Sequence, residues 1–198
     1  MTPDDILPTY ERLAPAFDRL RDKTLFERSW LDRLLAHAPG RKVLDLGCGS
    51  GRPVAQYLFD RRCDVTGIDG AAAMIALFEK NLPKARAIHA DMRGLDLGET
   101  FDAVLGWDSF FHLAKDDQRA MFPVFAKHLR PRGVLMFTSG TGDGEAIGHV
   151  DEATVYHASL APEEYRKLLQ ENGLEVLRHV VEDPDCQTRT IWLARLKG

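Results

Sequence analysis

The chain has 198 residues, 44% of them hydrophobic, and a formal net charge of −4 from 26 basic and 30 acidic side chains. That length suits one domain that can bury a core without metals or disulfides, and with no basic block nucleic acid is not an expected partner. No apolar run is long enough to span a membrane, the acidic start MTPDDILPTYERL lacks the apolar stretch of a signal peptide, and Cys48, Cys63 and Cys186 are too few and scattered for a disulfide framework, so a reducing cytoplasm is the expected setting.

Residues from about Pro8 to His37 read as helices. Leu31, Leu34 and Leu35 follow helical spacing, and HAPG ends the run. This stretch precedes the first strand, so residues 1–39 are predicted to be a helical lid on an α/β core at 40–198, within one domain. Strands are predicted at Lys42–Leu46, Cys63–Ile68, Ala85–Ala90, Phe101–Trp107 and Gly133–Thr138. Helices are predicted at Pro53–Asp60, Ala71–Asn81 and Asp116–Leu129. The stretch DMRGLDLGET reads as a loop. Alternation of this kind implies a parallel sheet covered by helices on both faces. A further helix, APEEYRKLLQENG, carries Pro near its start and Gly near its end. The strands LEVLRHVVED and TRTIWLARLK follow, too close together for a parallel crossover. The predicted fold is a Rossmann-like seven-stranded mixed sheet: five parallel strands finished by an antiparallel hairpin.

The glycine-rich turn LDLGCGSG sits at the carboxyl end of the first strand, where open α/β sheets bind ligands. Glycines there admit a ligand close to the backbone. Arg52 occupies the place of the third glycine of a dinucleotide fingerprint, and the Gly-Lys-Ser/Thr of a phosphate loop is absent. Asp45 would repel a polyphosphate and would suit a ligand with a positive end. Asp69, 22 residues after Gly47, can accept from both hydroxyls of a ribose. Asp91, in IHADM, can accept from an exocyclic amine while Met92 packs on the ring. A ligand with an adenosine, no phosphate and a cationic end is S-adenosylmethionine.

In this order, VLDLGCGSG, VTGIDGAAAMI, AIHADM and FDAVLGWDSFFHL resemble the class I S-adenosylmethionine-dependent methyltransferases. The resemblance runs from about Tyr10 to the C-terminus. It implies that Asp45, Gly47, Cys48 and Gly49 cradle the methionine portion of the cofactor and that Asp69 holds the ribose. Gly70 and Met74 would flank the adenine, and Asp91 with Met92 would meet its edge. Trp107 would lie near the methionine or the sulfonium. YERLAPAFD resembles the lid helix of small-molecule members, in which a tyrosine like Tyr10 touches the cofactor. The segment GEAIGHVDEATVYHASLAPEEYRKLL resembles small bacterial methyltransferases without an assigned acceptor.

The expected activity is methyl transfer to a small molecule, leaving S-adenosylhomocysteine. WDSFF is not the Asn/Asp-Pro-Pro-aromatic pattern of amino-methylating nucleic-acid enzymes, and no Pro-Cys pair suggests a cytosine C5 nucleophile. His112, just after the fourth strand, is the candidate general base. Phe111, His149 and Tyr156 are candidate walls of the acceptor pocket. Trp30 is expected in the core, and His128 is expected to face solvent. Asp108 and Asp143 alone are too few to assign a metal site. The different-class alternatives are a nicotinamide-dependent oxidoreductase and a non-catalytic protein that binds S-adenosylmethionine. The oligomeric state stays open.

Overall fold

The computed structural model describes the whole chain, Met1–Gly198. Two helices, α1 (Ile6–Leu20) and α2 (Arg28–His37), precede β1 (Lys42–Leu46). Then come α3 (Val54–Asp60), β2 (Asp64–Asp69), α4 (Ala72–Asn81), β3 (Arg86–His89), β4 (Phe101–Gly106), α5 (Lys115–Lys127) and β5 (Leu129–Ser139). A hairpin follows, β6 (Gly144–Val150) and β7 (Ala153–Ser159), and the chain ends with α6 (Pro162–Glu171), β8 (Leu174–Asp183) and β9 (Arg189–Leu196). The main sheet has seven strands in the order β3-β2-β1-β4-β5-β9-β8. Strands β1 to β5 pair in parallel, and β9 runs antiparallel between β5 and β8. The predicted sheet is therefore the observed one.

Period-two alternation sorts the strand residues onto two apolar layers. Val43, Val65, Ala103, Leu105, Val134 and Leu193 face one side, where they meet Trp30, Leu31 and Leu34 of α2 and Leu58 of α3. Leu44, Val104, Leu135, Phe137 and Trp192 face the other, against Phe122 and Phe125 of α5 and Tyr165 of α6. Trp30, Leu31 and Leu34 are at most 1% exposed. Helix α2 thus belongs to the core, and only α1 lies across the ligand-binding end of the sheet.

Helix α1 is held from two sides. Ala14 packs on Ala71 and Met74 at the start of α4, and Ile6 packs on Val155 and Tyr156 of β7. The β6–β7 hairpin was not predicted from the sequence. Strand β6 carries Glu145, Ile147 and His149 on an almost wholly exposed ribbon, so the usual apolar alternation is missing. His128, expected at the surface, is 1% exposed: its Nδ1 meets the Val124 carbonyl at 2.8 Å and its Nε2 accepts the Leu97 N–H at 3.1 Å.

Candidate cofactor and acceptor sites

The turn after β1 is built from its glycines. Gly47 and Gly49 have φ of 73° and 53°, a region that L side chains rarely adopt. A Cβ at Gly47 would overlap the Cβ of Ser109. The Gly47 and Cys48 N–H groups both donate to the Ile68 carbonyl, at 2.8 and 2.9 Å, which ties the turn to the end of β2. The carboxylate of Asp69 fastens it again: one oxygen accepts from the Gly49 N–H and the other from the Ala71 N–H, both at 2.9 Å. Burial raises the Asp69 carboxyl, and those two N–H donors offset part of the rise. Each oxygen keeps lone-pair capacity for a further donor.

A cavity opens above this turn. Gly47, Gly49, Asp69 and Gly70 lie on its sheet side, with Met74, Asp91 and Met92 beside them. Leu7, Tyr10 and Phe17 of α1 also line it. Leu7 sits directly over Gly70, where a Cβ would come within 2.6 Å of it. Leu7 and Phe17 went unassigned in the sequence. The seven-residue spacing of Tyr10 and Phe17, which puts both on one helical face, was the available signal. Burial acts to raise the Asp91 carboxyl, but Arg93 outweighs it through guanidinium and backbone donors, leaving it below its ordinary value. Arg93 also reaches Asp117 at 3.2 Å, so its charge is compensated on two sides.

Asp45 lies beneath the turn and outside the cavity lining. It shares the face of β1 with Val43, opposite Gly67 of β2 and Leu105 of β4, and is 3% exposed. Its side chain makes no hydrogen bond. Burial, reinforced by the charge of Asp69, pushes its carboxyl up to about 7.

Three expected contacts are corrected by the structure. Trp107 lines neither this cavity nor the neighbouring one. It continues the alternation of Ala103 and Leu105 into the apolar layer under α2, where its indole N–H is buried without a partner. The Cys48 side chain also points away from the cavity. Its sulfur sits where a Cβ on Gly67 would be 2.8 Å distant, and burial raises the thiol well above its ordinary value, so it is not an activated nucleophile. Tyr156 is 5% exposed, packs with Ile6 and lines neither cavity, and its backbone carbonyl meets His112 Nδ1.

A second, wider hollow adjoins the first, and Tyr10, Phe17, Asp108 and His112 line both. Phe111, exposed His149, His157, Thr138, Arg189 and Thr190 also line it. His157 stacks obliquely on Phe111 and His112, with ring centres 4.6 and 4.9 Å away. Asp108 turns the chain at φ 48°, its N–H donating to Thr138 Oγ1 at 2.9 Å. Its carboxylate is held by Arg189 at 3.1 and 3.4 Å, and Asp143 is paired with Lys115 at 2.9 Å. His112 Nδ1 is 2.8 Å from the Tyr156 carbonyl oxygen, which can only accept, so Nδ1 carries the proton. Nε2 then presents its lone pair to the Tyr10 hydroxyl at 2.9 Å. Burial lowers His112 to about 4, leaving it neutral near pH 7.

Seven strands in this order, with a glycine turn after β1 and an acid after β2, define a Rossmann-like methyltransferase architecture. Solved structures share it. An S-adenosylmethionine-dependent methyltransferase from Clostridium acetobutylicum superposes with a TM-score of 0.75 at 18% identity, over 96% of this chain and 100% of that one. An amino pentose methyltransferase from Micromonospora echinaspora, solved with S-adenosylmethionine bound, gives 0.74 at 24% identity, over 94% and 96%. Residues 43–133 match the methyltransferase domain family. Among curated proteins, a malonyl-[acyl-carrier protein] O-methyltransferase of Enterobacter lignolyticus is 30% identical over 142 residues, covering 70% of this chain and 54% of that protein. An O-methyltransferase of Pyrenophora dematioidea is 29% identical, covering 78% and 62%. A 27-O-demethylrifamycin SV methyltransferase of Amycolatopsis mediterranei is 28% identical, covering 96% and 80%. The chain thus spans 54% and 62% of the lengths of the first two. The chain is thus similar to S-adenosylmethionine-dependent methyltransferases, with 43–133 as the matched methyltransferase domain. Nothing in these relatives supports the nicotinamide-dependent alternative.

Proposed function

We propose that this protein binds S-adenosylmethionine in the cavity above the glycine turn and transfers its methyl group to a small-molecule acceptor in the adjoining hollow. The observation that carries the reading is Asp69. Its carboxylate is pre-oriented by two backbone donors, with lone pairs left for a diol at the end of β2. The surroundings fit the rest of the cofactor. Asp69 and Asp91 line the cavity, Asp45 lies under it, and Arg93 is already engaged by Asp91 and Asp117. A pyrophosphate would meet carboxylates here, whereas a methionine ammonium and a sulfonium would be attracted by them.

When bound, S-adenosylmethionine supplies a methyl group on a sulfonium, which is a good leaving group. The chain's own residues then have three tasks. Gly47, Gly49 and Asp69 hold the cofactor, with Gly70, Met74 and Met92 against its adenine and Asp91 at its edge. Helix α1 excludes water through Leu7, Tyr10 and Phe17. Asp108 and His112, shared by the two cavities, mark where acceptor and methyl group meet. Phe111 and His149 are the proposed acceptor contacts, and His112 the proposed base. A small acceptor agrees with the relatives named for 27-O-demethylrifamycin SV and an amino pentose. The three unpaired cysteines agree with a cytoplasmic location. Incubation with S-adenosylmethionine labelled in the methyl group and a small-molecule cell extract tests the reading. Label should appear in a low-molecular-weight product with stoichiometric S-adenosylhomocysteine; label confined to macromolecules would refute it.

A further inference from the structure

The contact between α1 and α4 is apolar except at one place. Leu7 lies over Gly70, Ala14 packs on Ala71 and Met74, and Glu11 stands between them at helical spacing. Its Oε2 accepts the Ala73 N–H at 2.9 Å. Helix α4 has no such acceptor of its own. The first N–H groups of a helix have no partner within it, the N-cap here is Ala71, and no acid stands in the first turn. Asp69 accepts the Ala71 N–H just before the helix, so two carboxylates from other elements complete one helix start, where negative charge is favoured. Helix α1 in turn is weak at this point. Pro15 has no N–H to give the Glu11 carbonyl, so the half carrying Leu7, Tyr10 and Glu11 is loosely joined to the half carrying Phe17. The far end of α1 is pinned by Arg21 on buried Glu27.

We infer that Glu11 is a positioning residue for the cofactor: as the cap of α4 supplied by α1, it couples the docking of α1 to the order of the turn that carries Gly70 and Met74. The inference rests on the reading of this cavity as the S-adenosylmethionine site and adds the residue that governs its closing. Glu11 does not line the cavity, so it acts through Ala73 and not on the ligand. The coupling runs in both directions. Burial is the main cause that raises the Asp69 carboxyl, and the charge of Glu11 adds to the rise, so the two carboxylates repel each other at one helix start. Ribose hydroxyls that donate to Asp69 spread its charge and relieve that repulsion. A bound cofactor therefore strengthens the latch, and the latch strengthens cofactor binding by the same factor.

Hydrogen exchange of ¹⁵N-labelled protein without ligand reads the latch. Glu11→Ala should speed exchange at the amides of Tyr10, Ala14 and Ile75 by about twofold to thirtyfold, the range expected for a lost helix cap. Glu11→Gln keeps a carbonyl acceptor and should speed it less. The amides of Val43 in β1 and Val104 in β4 should exchange as before, because α1 lies outside the main sheet. Unchanged exchange in α1 and α4, or an equal acceleration at Val43 and Val104, overturns the latch. Calorimetric titration with S-adenosylhomocysteine reads the positioning role. Affinity should fall at least about twofold in Glu11→Ala, and by no more than exchange accelerates, with a smaller fall in Glu11→Gln. An unchanged affinity in Glu11→Ala overturns that role. Failure of the unaltered protein to bind S-adenosylhomocysteine refutes the methyltransferase reading, and the ligand-free exchange still decides whether Glu11 holds α1 on α4.

Discussion

Asp45→Asn should stabilise the protein without ligand and weaken its hold on the cofactor, and the size of the first effect should depend on pH. In the folded chain burial holds the Asp45 carboxyl near 7, against an ordinary value of 3.8. The protonated acid is therefore the form the fold prefers. The penalty begins as pH rises past 3.8, where the unfolded chain ionises, and is complete above about 7. At 1.36 kcal/mol per pH unit, that interval sets an upper bound of ~4 kcal/mol. Less than half of it applies at pH 5. Local relaxation and water entry reduce such penalties, so about 2 kcal/mol of stabilisation is expected at pH 8, with a smaller gain at pH 5. For a chain of this size that is a rise in Tm of about 4–8 °C at pH 8. The same substitution removes the anion under the glycine turn, and affinity for S-adenosylhomocysteine should fall about tenfold, or about 1.4 kcal/mol. Thermal unfolding at pH 5 and pH 8, with calorimetric titration at pH 8, measures both. A Tm gain no larger at pH 8 than at pH 5 would show that Asp45 ionises like an exposed acid and would refute the reasoning.

Asp69→Ala should lower affinity for S-adenosylhomocysteine by roughly one to three powers of ten, as two charge-assisted bonds to the ribose are lost. Asp69→Asn should lower it less. Both variants should also lose stability without ligand, because the carboxylate holds the N–H groups of Gly49 and Ala71; equal unfolding curves for wild type and variants would contradict this. Gly47→Ala meets a strained φ of 73° and the Ser109 side chain together, so it should abolish cofactor binding and reduce stability by about 1–3 kcal/mol, measured by denaturant unfolding. Removal of residues 1–20 should leave a cooperative transition while weakening cofactor binding, since α1 covers the cavity from outside the main sheet. Removal that extends through α2 should abolish folding, because Trp30, Leu31 and Leu34 are core residues.

The centre of the sheet was legible because β1 and β4 are buried on both faces. Short apolar runs such as VLDL and DAVLG, separated by helix-length segments, have few other interpretations. The cofactor site was legible for a related reason: a glycine turn can only follow β1, and Asp69 can only end β2. What the sequence concealed depends on side-chain direction at the strand ends. Trp107 continues the core-facing parity of β4, and the chain turns toward the cavity one residue later, at Asp108. Tyr156 lies on an unpredicted hairpin, where its backbone orients His112 while its ring is buried. Helix α2 resembles α1 in polarity, but only its placement against β1 and β4 makes it core. The hydrogen bond between Tyr10 and His112, 102 residues apart, could not be read from local spacing.

Isothermal titration of the unaltered protein with S-adenosylhomocysteine and, separately, with reduced nicotinamide dinucleotides tests the cofactor assignment most directly. Saturable one-to-one binding of S-adenosylhomocysteine, with no measurable heat from either dinucleotide, is the predicted result. Saturable binding of a dinucleotide by a protein that ignores S-adenosylhomocysteine would contradict it.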